Sequence, residues 1–193
     1  MEHASDVLTP WTNFYVMTGS ASAALTGLMF VVITLVMGRQ VSALGRQRSR
    51  DGLTTFSTPT VVHFGSALLV AAVLVAPWHV LVHTALILGV AGLGGVAYVS
   101  RILHRTTKLT AYNPDLEDWM WYTVAPLLAY TAILAGAILL VWMPVDALFA
   151  FAIGVLLLIF IGIRNAWDIV TFIAVGGNDE VAPPAERVGE SET

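Results

Sequence analysis

The chain has no cysteine among its 193 residues. That excludes disulfides, thiolate metal sites and a cysteine nucleophile. Charge is nearly as scarce, with only 11% of residues Asp, Glu, Lys or Arg. No GxSxG, P-loop, GxGxxG or haem-attachment motif occurs, and no hydrophobic run holds paired carboxylates. These absences argue against an enzyme and imply no cofactor. No basic stripe of the kind that binds nucleic acid is present, so no nucleic-acid partner is expected. Met1 to Pro10 contains no Lys or Arg, so this stretch is not expected to act as a signal peptide.

What is abundant is apolar. The chain is 57% hydrophobic with a mean hydropathy of +0.78. A soluble domain of this size must cover more surface with polar groups, so the excess apolar residues are expected to face lipid. The net charge of −4 is no guide to partners. The stretch from Gly176 to Thr193 holds Asp179, Glu180, Glu186, Glu190 and Glu192 against Arg187, and the rest is neutral.

Hydrophobic runs of membrane length predict five spans, at about 13–38, 57–76, 79–102, 117–142 and 145–172. They make residues 1–175 an all-α polytopic bundle and 176–193 a disordered acidic tail. Ser57 or Thr58 is the expected cap of the second span, with Pro59 in its first turn. Pro77-Trp78-His79 and Met143-Pro144-Val145-Asp146 read as tight turns. Asn113-Pro114-Asp115 reads as a helix start. Pro126 lies within the fourth span, where its missing N–H predicts a kink.

All nine Lys and Arg fall in the loop Arg39 to Phe56, the loop Arg101 to Lys108, at Arg164, or in the tail. Basic residues stay cytoplasmic, which places the N-terminus outside and the C-terminus in the cytoplasm.

Small residues recur where helices must approach closely. Gly19, Ala23 and Gly27 stand at every fourth position of the first span, and Gly92 and Gly95 mark the third. A parallel row, Thr18, Ser22 and Thr26, is expected to bond backward to helix carbonyls or across to a neighbour.

Ionisable and amide groups inside spans are candidate functional residues. Here they are His63, Tyr98, Tyr122, Arg164, Asn165 and Asp168. With 1.5 Å per residue, Arg164 lies roughly 28 Å along its helix from Val145, near the cytoplasmic boundary. The others fall at that same end, so they are expected to form one polar layer. Arg164 and Asp168, four apart, share a helix face. Three readings are open: a structural inter-helix network that includes Asn165, an ion pair snorkelling to the headgroups beside Trp167, or a transport or proton-relay group. His79 and His83 have metal-ligand spacing but no clear third ligand, so no metal is expected.

Two stretches carry a resemblance. Trp11-Thr12-Asn13-Phe14-Tyr15 with Ala24-Leu25-Thr26-Gly27-Leu28-Met29-Phe30-Val31, and Gly162-Ile163-Arg164-Asn165-Ala166-Trp167-Asp168, resemble small uncharacterised five-span integral membrane proteins of bacteria. The resemblance implies a bacterial inner-membrane location and brings no activity or ligand with it. The sequence therefore points to a non-enzymatic membrane protein whose partners are the lipid bilayer, a second copy of itself or another membrane protein. The alternative is an oligomeric channel or transporter for a small ion or solute.

Overall fold

The computed structural model describes residues 4–42, 48–106 and 119–176, with side chains over 6–35, 59–104 and 119–171. Every regular element among them is helical. A short helix α1 (Ala4–Leu8) and a 3-10 turn (Thr9–Trp11) lead into α2 (Thr12–Ser42). Then come α3 (Arg48–Val75), α4 (Leu81–Thr106), a π turn (Met120–Val124), α5 (Ala125–Leu139) and α6 (Pro144–Gly176). Helices suit such a chain because they satisfy every backbone N–H and C=O internally, as hydrocarbon requires.

Four stretches are long and apolar enough to cross a membrane: Asp6–Leu35, Leu81–His104, Met120–Leu139 and Pro144–Thr171. This is the build of a membrane-embedded helical bundle. The apolar part of α3 that is described, Pro59–Val75, is shorter, so four helices of membrane length are seen where the sequence predicts five.

The expected loop from Arg39 to Phe56 is largely helical, since α2 continues to Ser42 and α3 already begins at Arg48. Arg, Gln and Leu are good helix formers, and charge alone does not end a helix. Pro59 consequently lies inside α3 and not in its first turn, and Ser57 and Thr58 are interior positions, not caps. Pro126 behaves differently. It follows a π turn in which the Ala125 N–H donates to the Met120 carbonyl, so the disturbance expected from proline takes the form of a widened turn. The helix start expected at Asn113 and the acidic tail from 177 onward lie outside the described residues.

The bundle is laid out by its neighbours: α2 beside α3, α3 beside α6, α6 beside α5 and α5 beside α4. In α6, 56% of the apolar window is buried, against 22% for the first span and for α4. α6 is therefore the central post, covered by α3 and α5 with α2 at its edge, while α4 packs on α5. Phe151, Val155, Leu158, Ile161 and Leu148 on α6 are fully buried, while Leu28, Phe30, Val90, Leu93, Leu128 and Phe160 face outward.

Glycines set the closest approaches. A Cβ at Gly92 would stand 2.9 Å from the Leu134 backbone nitrogen, and one at Gly154 would stand 2.9 Å from the Ala129 carbonyl oxygen. Without a solvent-driven hydrophobic force between helices, this close backbone packing is what holds a membrane bundle together. The end of the bundle that carries the N-terminal segment is tied down by aromatics. Trp11 meets Phe149 edge-on at 4.7 Å, and the Tyr15 hydroxyl donates to the Leu148 carbonyl at 2.8 Å.

Candidate functional site

The polar residues predicted to share one layer separate into three environments. The first is the pair Arg164–Asp168 on α6. The guanidinium donates to the carboxylate one turn further on, and the Tyr122 hydroxyl stands 3.5 Å from the second carboxylate oxygen. The π turn before Pro126 holds Tyr122, and the contact of α5 with α6 brings it to Asp168. Both ionic side chains are 35% exposed, so the pair occupies the outer surface of the bundle and Trp167 beside it is exposed.

The second environment is interior. His63 on α3 is 2% exposed. Its Nδ1 lies 3.1 Å from the Tyr130 hydroxyl, and that hydroxyl lies 3.1 Å from Ser66 Oγ. His63 and Ser66 sit one turn apart on α3, and Tyr130 reaches them from α5. The Tyr130 ring lies directly over Gly95 of α4, where a Cβ would stand 2.0 Å from its Cδ1, so a larger residue there would displace it. One side chain thus joins three helices. Neither Tyr130 nor Ser66 stands out in sequence. The signal that finds Tyr130 is physical: a phenol in mid-span must place its hydroxyl somewhere. Tyr98 packs half-buried against this core and Arg101 is exposed.

The third environment is that of Asn165. It is buried on α6, 2% exposed, and takes no part in the Arg164–Asp168 pair. Neither atom of its carboxamide has a hydrogen-bond partner.

The small-residue row of α2 is divided. A Cβ at Gly19 would stand 3.0 Å from the Ala71 Cβ on α3, but one at Gly27 would meet nothing within 4 Å, and Ala23 is exposed. The hydroxyl row is the face turned inward. Thr18 and Ser22 are buried and bond back to the carbonyls of Phe14 and Thr18, and Thr26 to that of Ser22, at 2.8–3.0 Å. Gly92 and Gly95 both lie at close contacts of α4 with α5.

His79 precedes α4 in the turn, so it does not share a helix face with His83, and both are exposed. Among the described residues no group of three His, Asp or Glu is placed to hold a metal ion.

No family model, no curated protein and no solved structure matches this chain.

Proposed function

We propose that the chain is a five-span integral membrane protein of the bacterial inner membrane, N-terminus outside and C-terminus in the cytoplasm. It acts without catalysis, through helix packing with itself or with a membrane partner. The observation that carries this reading is the outward face of α2. Ser20, Ala23, Ala24 and Gly27 are exposed there with open space over Gly27, whereas Gly19 on the inner side is already in use against Ala71. A row of small side chains facing hydrocarbon gains little from lipid but lets a second helix approach closely.

The test is association in lipid. Dilution of donor- and acceptor-labelled protein in bilayers should show energy transfer that Gly27→Leu abolishes, while the variant still folds, because among the described residues no neighbouring helix comes within 4 Å of a Cβ at that position. A parent monomeric at every protein-to-lipid ratio, or a variant that associates as well as the parent, refutes self-association through α2.

The second reading, an oligomeric channel or transporter for a small ion or solute, draws support from the polar interior around His63, Tyr130 and Ser66. Such groups inside a spanning bundle often mark a pathway. Packing remains the stronger reading because that chain of groups is short, three side chains joined by two hydrogen bonds.

A further inference from the structure

The ion pair of α6 sits at a definite level of the bundle. Arg164 lies about 30 Å along the helix from Pro144 at the usual rise per residue, one hydrocarbon thickness. Exposed tryptophans mark the same two levels. Trp142 stands just before the start of α6, Trp167 lies between the two charged residues, and Trp119 directly precedes the π turn. Such rings gather where hydrocarbon gives way to headgroups.

The pair also faces out of the bundle. Arg164 and Asp168 are each 35% exposed, and the apolar side chains of Phe160, Ile163 and Trp167 around them are exposed as well. The guanidinium donates to the carboxylate, and the Tyr122 hydroxyl reaches the other carboxylate oxygen from the π turn. A guanidinium carries five N–H donors and a carboxylate accepts about four hydrogen bonds, more than these contacts use. The chain thus presents a cation and an anion one turn apart, at headgroup depth, on a face open to lipid.

We propose that Arg164 and Asp168 form a site for a phospholipid whose headgroup bears both a phosphate and a primary ammonium, as in phosphatidylethanolamine. The phosphate accepts from Arg164, the ammonium donates to Asp168, and an acyl chain lies along Phe160. The chemistry selects against other headgroups. Phosphatidylglycerol offers an anion to Arg164 but brings no cation to Asp168. Phosphatidylcholine carries both charges, yet its quaternary ammonium has no N–H to donate. The proposal rests on the embedding of the bundle in lipid and is independent of association through α2.

The test uses the full chain in vesicles of phosphatidylethanolamine, phosphatidylcholine and phosphatidylglycerol in equal parts. Phe160→benzoylphenylalanine places a photoreactive ring at the exposed position one turn before Arg164, and mass spectrometry identifies the lipid it captures. The same substitution at the exposed Val90 of α4 reports the background. At position 160 phosphatidylethanolamine should be enriched about two- to fivefold over phosphatidylcholine, the worth of one partly exposed ionic contact. Position 90 should show no enrichment. Asp168→Asn should abolish the preference and Asp168→Glu should keep it. Equal capture of the three lipids at 160, or a preference for either of the others, overturns the proposal. So does a preference that survives Asp168→Asn, or capture of protein in place of lipid at 160. Should Asp168→Asn not fold, the parent decides: the preference must hold for N,N-dimethylated phosphatidylethanolamine, which keeps one N–H, and vanish with the third methyl group. Capture of no lipid at either position would overturn the proposal together with the membrane embedding on which it rests.

Discussion

Adjacent glycines on α4 provide a controlled perturbation. Gly94 faces open space and Gly95 lies under the Tyr130 ring, so alanine at each adds one methyl group to the same helix in opposite surroundings. Both substitutions gain the same helix propensity, up to about 1 kcal/mol, which cancels in the comparison. At Gly95 the methyl must push the ring away, an overpacking cost of about 1–3 kcal/mol. Tyr130 is 2% exposed and its hydroxyl stands 3.1 Å from both His63 and Ser66. A ring displaced by an ångström loses one or both bonds, at about 0.5–1.5 kcal/mol each. Gly95→Ala should therefore be less stable than Gly94→Ala by about 1.5–6 kcal/mol, a melting difference of roughly 3–24 °C for a chain of this size. Thermal unfolding in detergent, followed by tryptophan fluorescence, measures it. Because the hydroxyl bonds are already broken in Gly95→Ala, Tyr130→Phe should cost less in that background than in the parent. Equal melting of the two alanine variants would refute the placement of the Tyr130 ring on α4 and with it the three-helix junction.

Two other outcomes are expected. Single cysteines at the exposed His79 and at Arg46 should respond oppositely to an impermeant thiol reagent in intact cells, with position 79 labelled; labelling of 46 alone would invert the proposed orientation. Asp168→Asn should lower the melting temperature by only about 1–4 °C, because a 35%-exposed pair at i,i+4 spacing is worth about 0.3–1 kcal/mol, and a fall beyond about 10 °C would mean that the pair is sealed inside.

The helices were legible because long apolar runs leave few alternatives in lipid. Boundaries at the polar ends were not. Arg39 to Ser42 and Arg48 to Phe56 carry charge but no strong helix breaker apart from Gly52, so the hydrophobic pattern ends before the helix does. The α2 face was half legible. Gly19, Ala23 and Gly27 drift around an α-helix by about 40° for every four residues, so a row that begins at α3 ends facing outward. The polar layer was legible as a set of residues but not as an arrangement. Spacing alone pairs Arg164 with Asp168, whereas the link of His63 to Tyr130 depends on which helices are neighbours and on a glycine that leaves room for the ring. His79 and His83 show the same limit in reverse, since a helix starting two residues later removes their common face.

The placement of polar groups also changes which residue should govern flux if the bundle conducts. Arg164, Asn165 and Asp168 fall within five positions, yet at about 100° per residue Asn165 is turned about 100° from Arg164, and Asp168 only about 40°. The charged pair accordingly looks outward and the amide inward. A pathway through one bundle would run beside His63, Tyr130 and Asn165, none of which carries a fixed charge, and the carboxylate of Asp168 would lie off it. In proteoliposomes Asp168→Asn should then leave any proton or ion flux unchanged, and His63→Gln should be the substitution that alters it. Flux abolished by Asp168→Asn in a protein that melts within a few degrees of the parent would require a different route. It would have to pass the outer face where Asp168 meets Tyr122, and that face is closed off from lipid only where another chain packs against it. Such a result would make the oligomer, and not the single bundle, the conducting unit.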